Sequence, residues 1–447
     1  MTQQLQTDVV IVGAGTSGCY FAWRLGQAGF RTIILEKRRL EELGQHMDIF
    51  HMDEVRFEEF GIPLPAEENG DLIGHYPTGL AWSPDMQVSN EVEYAFYVMH
   101  KPTFHRRMHR YAVEAGAEIL EQVEVTGPII EDGFVVGVRA VRDGEPLEVC
   151  GEIVADASGI NGVVRTRLPG DFVENDLIRD EDTLFVCLEL RDELEGDYPT
   201  GLNFYPFHKA FWNPSRGRGA ILGIGQPGSY EYAWQKHREW REEYFGDPGK
   251  LLQRKQGKTP YRRSPYSLVC NGFMVMGDAA FQTKPFSGEG VTSSFTACQI
   301  AAEVAAEALQ RGDVSREALW DYNVRYFRGQ GAKFASMFVQ LPAAAELSRR
   351  EVDFLFHRDI IFSGEDFRQM NLNYENEMGL GQTISMALKL VGGVLSGQFS
   401  FASLKRLLDV SSTATKIKSL YQRFPDNPDP AQFQTWVAEA KVLWGEM

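Results

Sequence analysis

Apolar positions along this chain recur in two rhythms, and the switches between them divide it into regions. Residues 8–12 form a short apolar run, 20–28 carry a helical repeat, and 32–36 are again apolar up to a terminal acid. That order predicts a strand–helix–strand unit at the start of the chain. Residues 103–116 predict a helix, and 117–149 predict strands with turns at Gly133 and Gly144. Farther on, 184–190 and 220–224 read as strands and 232–245 as a helix. Residues 272–280 read as a buried strand entering a turn, and 291–309 as a long helix. Beyond 331 strand alternation disappears and helices are predicted, broken near Pro425, Pro428 and Pro430. Within them 384–402 is apolar around Gly392, Gly393 and Gly397, as suits a buried helix or a surface leaning on lipid.

The first strand runs into Gly13-Ala14-Gly15-Thr16-Ser17-Gly18, a dinucleotide-binding fingerprint. Gly13 permits the tight turn, Gly15 lets backbone approach a diphosphate, and Gly18 allows close helix–strand packing. Thr16 and Ser17 open the helix whose N-terminus faces the phosphates. Glu36, followed by Lys37, ends the second strand where an acid binds ribose hydroxyls. Two later motifs favour FAD over NAD. One is Asp156-Ala157-Ser158-Gly159, followed by Val163-Val164-Arg165. The other is Gly277-Asp278, followed by Pro285-Phe286-Ser287-Gly288-Glu289-Gly290 and the helix from Val291. Asp278 would accept bonds from a ribityl chain, and the N–H groups of the loop and helix end would stabilise a reduced flavin.

These three motifs in this order resemble the para-hydroxybenzoate hydroxylase fold of FAD-dependent oxidoreductases. Within that group the chain is similar to the geranylgeranyl reductase family, through Asp156–Gly159, Gly288-Glu289-Gly290 and Tyr322-Asn323-Val324-Arg325-Tyr326-Phe327. The resemblance implies an α/β fold with a Rossmann-type FAD-binding domain, an α+β substrate domain of antiparallel sheet, and a helical C-terminal region. The FAD-binding domain would comprise 1–70, 98–170 and 266–330, the substrate domain 71–97 and 171–265, and the helical region 331–447. FAD would be held non-covalently, with Lys101 where the family commonly has Arg, and with Val125 also lining the cofactor. Gly162 replaces a common Ser or Thr. The family's aromatic substrate motif is matched only by Lys209-Ala210-Phe211-Trp212-Asn213-Pro214, which makes Phe211 and Trp212 the candidate substrate wall.

Composition narrows the picture further. The 447 residues are 43% hydrophobic, the first seven are polar, and no apolar stretch is long enough to span a bilayer. Cys19, Cys150, Cys187, Cys270 and Cys298 are scattered and odd in number, so a reducing cytoplasm is expected, with at most peripheral membrane contact. His105 and His109 lie among arginines on an expected surface helix, and no metal site is expected. A net charge of −17 argues against nucleic acid. Against that balance, Lys250, Arg254, Lys255, Lys258, Arg262 and Arg263 cluster. They form either a solvated helix and loop or a dock for an acidic electron carrier or a substrate anion. Gly223-Ile224-Gly225 also fits the start of a glycine fingerprint, but reads as a strand entering a turn.

The activity expected is hydrogenation of C=C bonds in an apolar, isoprenoid-like substrate by hydride from reduced FAD. The alternative is an FAD monooxygenase or, less favoured, a halogenase, acting on an aromatic or apolar substrate. The electron donor, NAD(P)H or ferredoxin, is left open. The required acid is unassigned, with His46 and Glu289 as weak candidates.

Overall fold

The structure is a computed structural model describing residues 2–192, 203–205, 210–214, 220–246, 249–360, 363–375 and 380–446. Side chains are described outside 203–205, 210–214 and 380–381. A six-stranded sheet carries the three motifs. Its order is Val269–Cys270, Phe273–Val275, Ile153–Asp156, Val9–Val12, Thr32–Glu36, Glu118–Glu121. Apart from the hairpin at one edge all its pairs are parallel. Helices cover such sheets on both faces, so the strands read as continuous apolar runs and not as alternations. Val12 lies opposite Asp156, which in turn lies opposite Val275. The register thus brings all three motifs to one edge of the sheet, the C-terminal edge where this architecture binds ligands.

The run 117–149 divides between two sheets. Glu118–Glu121 completes the six-stranded sheet, while Val123–Glu131, Phe134–Arg142 and Glu145–Cys150 form a meander with Gln3–Gln6. Gly133 and Gly144 make its turns at φ 80° and 83°, values natural to glycine.

An eight-stranded sheet has the order Leu251–Pro260, Thr183–Arg191, Ala220–Pro227, Ala210–Pro214, Asn203–Tyr205, Leu72–Trp82, Ser89–His100, Ile49–Asp53. Gly223 and Gly225 lie inside Ala220–Pro227, so that glycine pair is part of a strand. The basic stretch corrects an expectation. Leu251–Pro260 is an edge strand, not a helix and loop, and it pairs antiparallel with Thr183–Arg191. Its half-buried positions are Lys255, Gly257 and Thr259, so it has no apolar period to betray it.

The C-terminal region is helical. Residues 384–402 are not one element: Leu380–Leu395 ends in a turn at Gly397 (φ 68°), and Phe401–Gln422 follows. Leu390 of the first helix is buried, and Gly393 packs on the Phe354 ring. Trp320, Phe327, Phe424, Phe433 and Trp436 join the C-terminal helices to the main core. Among the described residues no helix is long and apolar enough to cross a membrane.

Candidate cofactor site

The three fingerprint glycines meet three different surroundings. A Cβ on Gly13, at φ +105°, would lie 2.4 Å from the Ala157 carbonyl oxygen. A Cβ on Gly18 would lie 2.1 Å from the Gly13 carbonyl oxygen. Both positions are closed by protein. Gly15 is different, for its Cβ would meet nothing within 4 Å. Gly15 precedes the helix Thr16–Gln27, whose first turn has neither a side-chain cap nor an acid. Open space before uncapped helical N–H groups fits a diphosphate.

Glu36 is buried, and its carboxylate accepts from the Ala14 N–H at 3.0 Å and the Arg38 N–H at 3.0 Å. His109 donates to the Ala14 carbonyl at 2.9 Å. Glu36 thereby fixes the glycine turn, leaving its remaining lone pairs for a ribose. Lys37 is exposed.

The helix Lys101–Glu114 corrects the view of His105 and His109, since both are buried. Lys101, His105 and His109 recur every fourth residue and share the inward face, while Arg106 and Arg110 take the outer one. Arg107 is buried too, paired with Asp71 at 2.9 Å. Among the described residues neither ring nitrogen of His105 has a hydrogen-bond partner. Burial first, then Lys101 and His109, push His105 well below the usual histidine range, so it is neutral. Burial also lowers Lys101, opposed by the charge of Asp278. A buried ammonium and an unpartnered imidazole fit a group bringing negative charge and acceptors, as FAD does.

Asp156 has a different task from a ligand's. It accepts from Ser158 N–H and Oγ through one oxygen, at 3.1 and 2.6 Å. Its other oxygen accepts from the Val164 and Arg165 N–H groups, both at 2.8 Å. The carboxylate shapes the turn at Gly159 (φ +71°), whose Cβ direction is open. Arg165 is buried and donates to the Ala279 carbonyl at 2.8 Å, tying the second motif to the third.

The third motif is clamped from behind. Gly277 (φ +65°) donates to Gln282 Oε1 at 2.8 Å, and Gln282 donates to the Tyr322 hydroxyl at 3.0 Å. Asn323 accepts from the Leu268 N–H at 2.7 Å. The Tyr322-Asn323 pair therefore holds the Gly277 turn from the next helix but one. Asp278 accepts from Thr283 at 2.9 Å, and burial raises its pKa. Pro285 is buried, and a Cβ on Gly288 would approach Leu184 at 3.2 Å. Gly290 caps the helix Val291–Arg311, again without side-chain cap or acid in the first turn. Val125 is buried at an irregularity in its strand.

Of the candidate acids, His46 is exposed. Glu289 is not alone: it forms ion pairs with Lys284 and with His51 of the strand Ile49–Asp53. Asp53 and Tyr94 complete a charged cluster. Nothing local in the sequence marks His51, Asp53 or Lys284, because they meet only when the sheet packs on the loop. Phe211 and Trp212 lie on the strand Ala210–Pro214, and their side chains fall outside the described ones.

The basic stretch is largely neutralised within the chain. Arg254 pairs with Glu189 at 3.2 Å and Lys255 with Asp48 at 2.5 Å. Arg262 pairs with Asp182 at 3.7 Å, and Arg263 with Glu174 and Glu446 at 2.9 and 2.6 Å.

Comparison with known proteins agrees with FAD as the cofactor. Residues 6–200 match the FAD binding domain family. The digeranylgeranylglycerophospholipid reductase of Sulfolobus acidocaldarius is 28% identical over 445 residues, covering 95% of each chain. Among solved structures, a geranylgeranyl bacteriochlorophyll reductase-like protein of Thermoplasma acidophilum superposes with a TM-score of 0.73 at 19% identity. It covers 88% of this chain and 98% of its own. A flavin-dependent brominase superposes at 0.66 with 17% identity, over 86% and 98%. The chain is an FAD-dependent oxidoreductase with the para-hydroxybenzoate hydroxylase type of fold. Within that class it is similar to the digeranylgeranylglycerophospholipid reductases.

Proposed function

We propose that this protein hydrogenates C=C bonds of an isoprenoid-like lipid chain. The observation that carries the reading is the match to a digeranylgeranylglycerophospholipid reductase over 95% of both chains, which extends far beyond the cofactor motifs. FAD, once reduced, supplies a hydride to one alkene carbon. The chain's own residues do the rest. Gly15 and the two uncapped helix ends receive the diphosphate and the flavin's pyrimidine edge, Lys101 balances phosphate charge, and Glu36 holds the adenosine end. The eight-stranded sheet forms the opposite wall, on which Phe211 and Trp212 would contact the substrate.

Peripheral membrane contact belongs to the same reading. Ile384, Leu388, Val391 and Leu395 are 53, 68, 48 and 84% exposed and follow helical spacing, so one face of Leu380–Leu395 is an apolar row. That row suits a protein collecting its substrate from lipid. An acidic carrier has less support, because most of the basic stretch is paired internally.

The test is product mass after incubating reduced holoenzyme with a prenyl lipid extract. Gain of two hydrogens per double bond supports the proposal. Gain of oxygen or halogen would move the protein to the monooxygenase or halogenase reading, in line with its brominase fold neighbour.

A further inference from the structure

A hydride delivered to an isolated alkene leaves negative charge on the second carbon, so a proton must arrive there. Around Glu289 the fold gathers titratable groups from every neighbouring element. His51 and Asp53 come from one strand, Tyr94 from the next, Lys284 and Glu289 from the glycine loop, Arg56 from a short helix, and Tyr374 from the C-terminal region. Their exposures separate their roles. The side chains of Lys284 and Asp53 are 1 and 9% exposed, whereas His51 and Glu289 keep 15 and 18%. The open edge of the cluster is therefore the His51–Glu289 pair. That pair joins the cofactor loop, which carries Glu289, to the edge strand Ile49–Asp53 of the large sheet, which carries His51.

Chemistry chooses among the groups. Tyr94 is buried with no partner for its hydroxyl, and a phenol gives up its proton far above neutrality. Lys284 is held by Glu289 and by Asn371 at 3.0 Å. Glu289 resists burial and stays ionised because Lys284 and His51 face it, so it accepts and does not donate. Asp53, whose carboxyl burial pushes up to about 6, is the more enclosed at 9% exposure, which leaves His51, an imidazole with an ordinary pKa near neutrality, at the open edge. Burial disfavours its charge, but the adjoining Glu289 carboxylate outweighs burial and keeps it an imidazolium above the usual histidine range.

We propose that His51 is the proton source for the alkene, with Glu289 and Lys284 as its positioning residues. The inference rests on the reductase reading above. Reduced FAD loses a hydride to one carbon and becomes oxidised, an N–H bond of the His51 imidazolium breaks, and that proton forms the second C–H bond. The C=C bond is reduced to C–C, and neutral His51 regains a proton from water at the open edge.

The experiment uses anaerobically reduced holoenzyme mixed with geranylgeraniol in micelles, following flavin re-oxidation across a pH series. Wild type is expected to slow as pH rises through the His51 titration. His51→Gln should keep its flavin, react about 100-fold more slowly, as loss of a general acid does, and show no pH inflection. Glu289→Gln should move the inflection to lower pH, because the anion that holds the imidazolium is gone. A second readout needs no substrate: the pH dependence of the flavin midpoint potential should show the same inflection in wild type and lose it in His51→Gln. A wild-type rate or a persisting inflection in His51→Gln overturns the assignment while leaving the reductase reading intact. If wild type binds FAD but does not hydrogenate the probe, the reductase reading fails, and proton delivery to an alkene fails with it.

Discussion

Two charged or phosphate-directed regions of this protein are built in opposite ways. The Gly13–Gly18 turn proposed to cradle the diphosphate is made of backbone, and the side chains around it mostly hold that backbone in place. The cluster at His51, Asp53, Lys284 and Glu289 is made of side chains from separate elements that cancel one another's charge. Backbone construction tolerates no added atom, whereas side-chain construction tolerates no missing charge. The two regions should therefore fail under different substitutions.

The largest effect is expected at the cluster. Lys284→Met leaves Glu289 with only His51 to balance it and should destabilise the fold by about 3–5 kcal/mol, the usual result of breaking a buried pair. Adding Glu289→Met should restore part of that loss in thermal melts. A double variant no better than the single would mean that charge balance is not what holds this region. Next comes Gly18→Ala, whose Cβ has no room beside the Gly13 carbonyl. It should cost about 1–3 kcal/mol and yield colourless protein, read from the flavin to protein absorbance ratio.

Asp53 gives a pH test of intermediate size. Burial pushes its carboxyl up to about 6, against the opposing charge of Lys284. Its folded value lies above the ordinary one, so the folded state binds the extra proton and stability from this group grows as pH falls below about 6. Relative to Asp53→Asn, wild type should gain about 2 kcal/mol between neutral pH and about pH 4. Parallel pH–stability curves for the two proteins would show that Asp53 is ionised throughout. Gly15→Ala sharpens the contrast with Gly18. The melt of the flavin-free protein should be unchanged, since the new Cβ meets no protein atom, while FAD binds at least about 10-fold more weakly, roughly 1.4 kcal/mol. Equal FAD affinity would place the diphosphate elsewhere.

The smallest effect on stability is expected on the exposed helical row. Leu388→Asp with Leu395→Asp should leave the melt within about 0.5 kcal/mol but reduce sedimentation with anionic lipid vesicles. Unchanged co-sedimentation would make the row an ordinary surface.

Legibility in the amino-acid order divides along the same line as the two regions. The glycine fingerprint is contiguous, and each of its residues answers a local backbone demand, so spacing alone assigns functions to Gly13, Gly15 and Gly18. Tyr322-Asn323 is recognisable as a family feature, yet its use as a clamp on Gly277 emerges only from the hydrogen bonds through Gln282. His105 and His109 read as surface residues because neighbouring arginines dominate the local composition, while the inward face of a helix is set by what packs against it. The strand Leu251–Pro260 escapes a periodicity reading for a related reason: the positions it half-buries are Lys255, Gly257 and Thr259 and carry no apolar rhythm.

The amino-acid order by itself determined the FAD cofactor and the parallel sheet that carries its motifs. Those depend on short-range sterics, on the freedom of glycine to take φ > 0, and on the period of apolar residues. Tertiary structure alone decided which charges are buried together. His51 and Glu289 are 238 positions apart in the chain (289 − 51), and no local rule relates them until the eight-stranded sheet closes on the glycine loop. Burial then strengthens their attraction by excluding water, so a pairing invisible in the sequence becomes one of the strongest electrostatic features of the site.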